Sequence, residues 1–203
     1  RATGLRPTAA TYTAAKIEET AHTLVYTQPF EYPRLKNAER RLELWKREPR
    51  ARLTVRFNRL PLNAPEVFYL AFGFPTADAL PEFSNGGVPF TPFTGQLPGS
   101  CREYFAIDGW ACYRRNLLWV SRDAPLVSLG GPHRLLAVVF DNFWHTNFVA
   151  DSHGEMSFQF DLAGRPGIEQ PAELAEALVG EPVVLLNPAA RESPELEKNL
   201  FRP

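Results

Sequence analysis

The stretch Arg134–Leu162, RLLAVVFDNFWHTNFVADSHGEMSFQFDL, decides the fold class. It opens on a continuous apolar run at 135–140, which is typical of a strand buried on both faces. It ends on strict alternation of apolar and polar residues at 156–162, which is typical of a strand with one buried and one solvent-exposed face. Residues 141–148 between them are a dense mixture of aromatic and polar side chains. The stretch therefore predicts a mainly β protein, with a loop between two strands as its most site-like feature.

The composition is that of an ordinary globular domain, with 203 residues, 44% hydrophobic and 22% charged. A formal net charge of −1 gives no electrostatic reason to bind nucleic acid or an anionic membrane. No apolar run approaches the ~20 residues of a membrane span. Nineteen prolines favour many loops and strand ends over a helical bundle. We therefore expect neither a nucleic acid nor a membrane as a partner.

The two cysteines, Cys101 and Cys112, are predicted to be free. If Asp108-Gly109 is the turn of a two-residue hairpin, they lie ~13 Å apart along it, which exceeds the reach of a disulfide. Free thiols favour a reducing compartment, so the expected location is the cytoplasm. The chain begins at Arg1 instead of methionine, which favours a processed protein or a piece of something longer.

Residues 1–49 are predicted to be an N-terminal connecting segment. A helix is expected at 34–47, because apolar residues recur there with a helical period behind a proline. The residues that follow this period are Leu35, Ala38, Leu42 and Trp45.

Residues 50–186 are predicted to form the β domain, which begins with an alternating strand at 53–57. The clearest helix is expected at 171–179, where a proline stands at the start and Gly180 ends it. A last strand is expected at 183–186 within the same domain. Residues 187–203 are interpreted as a C-terminal tail.

In place of a strong catalytic motif, the sequence offers three weaker constellations. A metal site would use the spacing Asp151-x-His153 as its best ligand pair. A glycosidase-type carboxylate pair would combine Asp123 with Asp141 or Asp161. A structural role is the simpler interpretation of the metal site and of the carboxylate pair. For the metal site, the reason is that His/Asp pairs are common in loops. Asp123, which precedes an Ala-Pro pair, is expected to turn the chain with its own side chain.

The third constellation is a sugar-binding platform in the central loop. Trp144 and His145 offer flat aromatic surfaces that stack on a pyranose, and Asn147 offers an amide for its hydroxyls. We predict Trp144, His145, Asn147 and Asp123 as substrate-binding residues. The alternative is a set of core aromatic residues with a buried asparagine that bridges backbone groups.

Five short motifs occur in a fixed order along the chain. They are Glu66–Phe72 (EVFYLAF), Pro98–Ser100 (PGS), Asp123–Val127 (DAPLV), Trp144–Phe148 (WHTNF) and Phe158–Phe160 (FQF). In this order they resemble the C-terminal β-sandwich region of α-mannosidase-like enzymes of glycoside hydrolase family 38 and their relatives. The similarity covers residues 50–186.

The resemblance implies an antiparallel two-layer β-sandwich of the galactose-mutarotase-like supersandwich type, with one or two short helices. It also implies that the chain is the non-catalytic C-terminal portion of a glycoside hydrolase that acts on a carbohydrate. This portion would pack against, and rim, a missing N-terminal catalytic domain of the same protein.

In that family the zinc ligands, which include a His-x-Asp pair, and the aspartate nucleophile belong to the N-terminal domain. The one related sequence here, Asp151-Ser152-His153, has the two residues in the reverse order and lies in the predicted β-sandwich instead of an N-terminal catalytic domain. No catalytic residue, metal ligand or cofactor is therefore assigned to this chain, and zinc is expected only in the catalytic domain. Two alternatives stay open: a stand-alone carbohydrate-binding module, and a small mutarotase-type enzyme with His145 or His153 as general acid.

Overall fold

The computed structural model of the chain describes residues 8–74, 79–94, 96–131, 134–142 and 151–180. These residues form fourteen strands and one helix. The strands are β1 Thr11–Tyr12, β2 Lys16–Glu19, β3 Thr23–Glu31, β4 Leu35–Trp45, β5 Arg50–Arg59, β6 Val67–Gly73, β7 Glu82–Asn85, β8 Val88–Phe90, β9 Phe105–Ala106, β10 Trp110–Tyr113, β11 Leu117–Ser121, β12 Leu126–Leu129, β13 Arg134–Asp141 and β14 Gly154–Gly164, and the helix is α1 Pro171–Val179. The predicted mainly β fold with a short helix is confirmed.

The strands form two antiparallel sheets of unequal width. The larger has ten strands in the order β1-β3-β4-β5-β14-β11-β10-β7-β8, with β2 also paired to β3, and the smaller has four in the order β6-β13-β12-β9. The long pair β5–β14 lies in the middle of the larger sheet, with ten residues in register from Gly154↔Arg59 to Ala163↔Arg50. This pair is the scaffold on which the features below are built.

The smaller sheet covers part of one face of the larger sheet, which we call the inner face. Phe72 of β6 contacts Trp119 of β11 and Phe160 of β14, with ring centroids 5.5 and 4.9 Å apart. Phe68 of β6 lies 5.8 Å from Phe57 of β5. Aromatic rings from both sheets therefore fill the layer between them, as the inner faces of a two-layer β-sandwich do.

The opposite, outer face of the larger sheet carries α1. Leu178 and Ala175 of the helix pack in a second core with Trp110, Leu118 and the neighbouring outer-face residues of β10 and β11. The helix has the bounds expected from its sequence, with a proline in its first turn and Gly180 after its last residue. No helix in the described part of the chain is long and apolar enough to cross a membrane.

The predicted helix at 34–47 is wrong, because this segment forms β4 (Leu35–Trp45). Its backbone groups are used by ladders with β3 on one side and β5 on the other. Leu42 lies on the inner face and Trp45 on the outer face, and a bulge between Lys36 and Glu39 interrupts the alternation. Pairing with two neighbours thus overrides the helical spacing. It also corrects the predicted boundary at residue 50, since β3, β4 and β5 share one sheet.

The predicted hairpin around Asp108-Gly109 is also wrong, because the chain changes sheets there. Strand β9 pairs with β12 in the smaller sheet, whereas β10 pairs with β11 and β7 in the larger one. Gly109 has a φ of 89°, and a Cβ at this position would lie 2.7 Å from the carbonyl oxygen of Ser121, so the crossing requires glycine. The geometric argument about the cysteines fails with the hairpin. Both cysteines are nevertheless free, Cys101 exposed and Cys112 buried.

Candidate functional site

The predicted sugar platform falls on the segment 143–150. Trp144, His145 and Asn147 lie outside the described residues, so their role stays a prediction, as does the strand at 183–186 for the same reason. The fourth predicted residue, Asp123, is described, and its carboxylate accepts a hydrogen bond of 2.8 Å from the backbone N–H of Gln159. Asp123 therefore links the end of β11 to β14.

The expected Asx-turn at Asp123 is wrong, since the local turn is stabilised by Ser121, whose Oγ accepts the N–H of Ala124 at 2.9 Å. Gln159 stands five residues along β14 from Gly154, about 17 Å at ~3.4 Å per residue. Asp123 is thus bonded to the strand well away from the end at which the chain returns from the central loop.

The two ends of that loop are held by a polar group that we call the Arg59 cluster: Arg59, Glu66, Asn142, Asp151 and His153. The Arg59 side chain is completely buried. Its guanidinium donates to Asp151 Oδ1 and to Glu66 Oε1, both at 2.9 Å, and to the carbonyl oxygen of Ser152. The guanidinium carbon lies 4.1 Å above the ring of Phe140. A buried cation is thus matched by two carboxylates and an aromatic face.

Asn142 completes the cluster on the side where the chain leaves the sheet. Its Oδ1 accepts the N–H of Glu66 at 2.7 Å, and its Nδ2 donates to the carbonyl of Leu62 at 3.0 Å. Asp151, on the returning side, also accepts the N–H of Leu62. Both ends of the central loop are therefore bonded to the same connection, the one that joins β5 to β6.

The electrostatics of Asp151 are set by opposing effects on its carboxyl group. Partial burial acts to raise its pKa, but hydrogen bonds from Arg59, the Leu62 amide and His153, together with the Arg59 charge, lower the pKa below its ordinary value. The carboxylate is therefore ionised at neutral pH. Its Oδ1 is bonded to Arg59 and to the Leu62 amide, and its Oδ2 to His153. The Asp151–His153 pair exists, at 3.1 Å between Oδ2 and Nδ1. Among the described residues, however, it has no third metal-ligating side chain beside it.

The outer face of the β5–β14 pair carries a second polar group, the Asp161 cluster. The buried carboxylate of Asp161 accepts from Arg50 at 3.1 Å and from Arg52 at 3.0 and 3.2 Å. Both arginines also donate to the carbonyl oxygen of Leu178 in the last turn of α1. Asp161, one of the predicted carboxylates, thus helps to hold the helix on the sheet.

The inner face is only partly covered, because the larger sheet is wider than the smaller one. Along the row Tyr26–Leu42–Leu53–Phe160, burial is complete at Phe160 but partial at the other three residues. The next row, with Leu24, Leu44 and Leu162, is also half-buried. We give the name open face to six large half-buried side chains of these two rows: Leu24, Tyr26, Leu42, Leu44, Leu53 and Leu162.

A cavity of about 310 Å³ lies on the open face, bordered by Phe72 of β6 and by the polar side chains of Gln28 and Arg40. Its floor is leucine-rich, since Leu42, Leu53 and Leu162 line it. The sequence does not predict this surface, because β4, which supplies two of its six residues, has the apolar spacing of a helix. The signal was present in the alternation of Leu42 and Leu44 with charged residues.

No protein-family model matches the chain, and a search of curated proteins finds no match either. The resemblance carried by the five ordered motifs therefore stays a prediction.

Proposed function

We propose that this chain is the non-catalytic C-terminal β-sandwich portion of an α-mannosidase-like glycoside hydrolase, which packs against a catalytic domain and rims its substrate cleft. The observation that carries the proposal is the open face. Six apolar side chains on one sheet face lie half-exposed beside a well-packed sandwich. Contiguous apolar surface of this kind marks a site where another surface docks.

The charged groups support a structural role for the described part of the chain. Asp151 and Glu66 are engaged by Arg59, and Asp161 is engaged by two arginines. Acid–base catalysis by a carboxylate pair needs both carboxyl groups to face a substrate. Of the acids considered for that pair, Asp161 is fully buried and Asp123 accepts a backbone amide.

The first test is the mass of the native polypeptide in its source cells, measured by blotting with an antibody raised against this chain. The proposal predicts a band far heavier than 22.9 kDa, because the catalytic domain is part of the same protein. The purified chain, run beside the extract, is the control for antibody specificity and for migration. A native band at 22.9 kDa would contradict the proposal.

The second test is enzymatic and uses the heavy protein. Leu42→Lys places a charge on the open face and is expected to weaken the contact with the catalytic domain, lowering glycosidase activity or thermal stability. Leu97→Lys, on a leucine that is 80% exposed in a loop, is the matched control. Equal behaviour of the two variants would show that the open face does not contact the catalytic domain.

A further inference from the structure

Strand β6 is an edge strand of the smaller sheet: it pairs with β13 on one side, and among the described residues no strand pairs with its other edge. Its sequence, Val67–Gly73 (VFYLAFG), carries no charge and no proline. Natural edge strands are usually protected by charges, prolines or short length. An uncharged seven-residue edge strand is instead a template to which another strand can add through its backbone.

This free edge borders the open face. Phe72 of β6 lines the same cavity as Leu42 and Leu53, which belong to the uncovered strands of the larger sheet. A strand added beside β6 would lie about 4.8 Å from it and roughly 10 Å above the larger sheet, which is the layer spacing of the sandwich. Alternate side chains of such a strand would therefore point onto the leucines of the open face.

The rim of the open face presents a positive charge. The guanidinium of Arg40 donates to Gln28 Oε1 at 2.9 and 2.6 Å and stacks on the ring of Tyr12 at 4.0 Å. Within the described ranges no carboxylate pairs with Arg40, although Arg41 on the other face pairs with Glu43 at 2.6 Å. A guanidinium held in place beside an apolar floor suits an incoming acidic side chain.

We infer that the partner docks on this chain as an extended strand that adds to the free edge of β6. The inference rests on the proposed function, and the strand belongs to the catalytic domain of the same protein. The strand is about seven residues long, to match the seven residues of β6. Its apolar residues stand at alternate positions and face Leu42, Leu53 and Leu162, and an acidic residue near one end pairs with Arg40.

The test uses a display library of random twelve-residue peptides, selected on this chain. We expect the selected peptides to share alternating apolar residues and one acidic residue. Their binding, measured by fluorescence anisotropy, should weaken about tenfold or more in Leu42→Lys and several-fold in Arg40→Glu. Leu97→Lys and Arg56→Glu are the matched controls, on an exposed loop and on the outer face of β5, and should bind as the unchanged chain does.

A backbone readout separates strand addition from simple apolar adhesion. Methylation of the peptide nitrogens that face β6 removes the hydrogen bonds of the ladder and should abolish binding, whereas methylation in the alternate register should not. Two results would overturn the inference: selected peptides with a helical spacing of apolar residues, or binding that is unchanged in Leu42→Lys.

Self-association is the competing occupant. If sedimentation shows that the chain is a dimer and that Leu42→Lys makes it a monomer, a second copy occupies the edge and the inference is wrong. Failure of the proposed function is a separate result. A native band at 22.9 kDa with strand-like peptides still selected would refute the parent enzyme alone, while a heavy band without such peptides would refute strand addition alone.

Discussion

The Arg59 cluster and the Asp161 cluster are charge-reversed counterparts on the same pair of strands. One has a buried cation between two carboxylates on the inner face, and the other has a buried carboxylate between two cations on the outer face. They lie at opposite ends of β5–β14, because Arg59 pairs with Gly154 and Asp161 pairs with Arg52 near the other end.

The two clusters differ in how far their outer members reach water. The side chains of Arg50 and Arg52 are 22% and 23% exposed, whereas in the Arg59 cluster Glu66 is 30% exposed and Asp151 only 6%. A buried guanidinium that loses its carboxylate is, moreover, an uncompensated charge in the interior. The comparison teaches that Arg59 and Asp151 depend on each other, because both are shielded from water, whereas Glu66 and the arginines of the Asp161 cluster can turn toward solvent if their partner is lost.

The largest expected effect is that of Arg59→Met. The substitution keeps much of the volume but leaves the carboxylates of Asp151 and Glu66 without their buried cation. We expect a loss of about 3–5 kcal/mol in the free energy of unfolding, as for other buried pairs that lose one partner. Urea unfolding measures it, and Arg56→Met, on the outer face of the same strand, is the control. A loss below about 1 kcal/mol would show that the cluster is not a stabilising unit.

The Asp161→Asn variant sharpens the comparison from the other side. It removes the charge that two arginines share, but those arginines keep the Leu178 carbonyl and can reach water. We expect a smaller loss, about 1.5–3 kcal/mol. Glu155→Gln, an exposed acid on the same face of β14, is the control. If Asp161→Asn costs more than Arg59→Met, the argument from solvent access is wrong.

The Asp151→Asn variant tests the pH dependence of the Arg59 cluster. Because the folded-state pKa of Asp151 is lowered, its stabilisation is fully present above the unfolded pKa of about 3.9 and is lost as the pH falls through the lower folded pKa. The difference in the free energy of unfolding between the unchanged chain and the variant should therefore shrink as the pH falls below about 4, and urea unfolding at several pH values measures it. A difference that stays the same or grows between about pH 4 and about pH 2 would contradict the lowered pKa.

The smallest effect is expected for the pair Arg41–Glu43 on the outer face. Although its atoms are 2.6 Å apart, the Arg41 side chain is 40% exposed. A double-mutant cycle with alanine at both positions should give a coupling of about 0–1 kcal/mol, and less at high salt. A coupling comparable to the Asp161 cluster would mean that burial is not what separates these pairs.

The sequence predicts local features well where one pattern acts alone. The alternation of β14 and the bounds of α1 follow from residues that are near neighbours in the chain. Strand β4 is mispredicted because its charged, leucine-containing segment suits a helix until β3 and β5 are placed on both sides of it. The change of sheet at Gly109 is likewise invisible until β11 supplies the nearby carbonyl.

The candidate site is less predictable, because its contacts join distant parts of the chain. Arg59 and Asp151 are separated by 92 positions, and no spacing rule connects them. Asp123 is predicted to bind substrate, yet its observed partner is a backbone amide on another strand. The open face exists only because two sheets differ in width, which is a property of the topology.

The uncharged sequence of β6 also has a consequence for the chain on its own. A strand such as Val67–Gly73, with high β-propensity, no proline and no charge, has the composition of segments that nucleate intermolecular β-structure. When the edge is covered, the segment cannot pair with another molecule. When it is uncovered, such pairing, and with it aggregation, increases with protein concentration. The same backbone edge on which the proposed strand addition depends would therefore favour aggregation of this chain when no strand covers it.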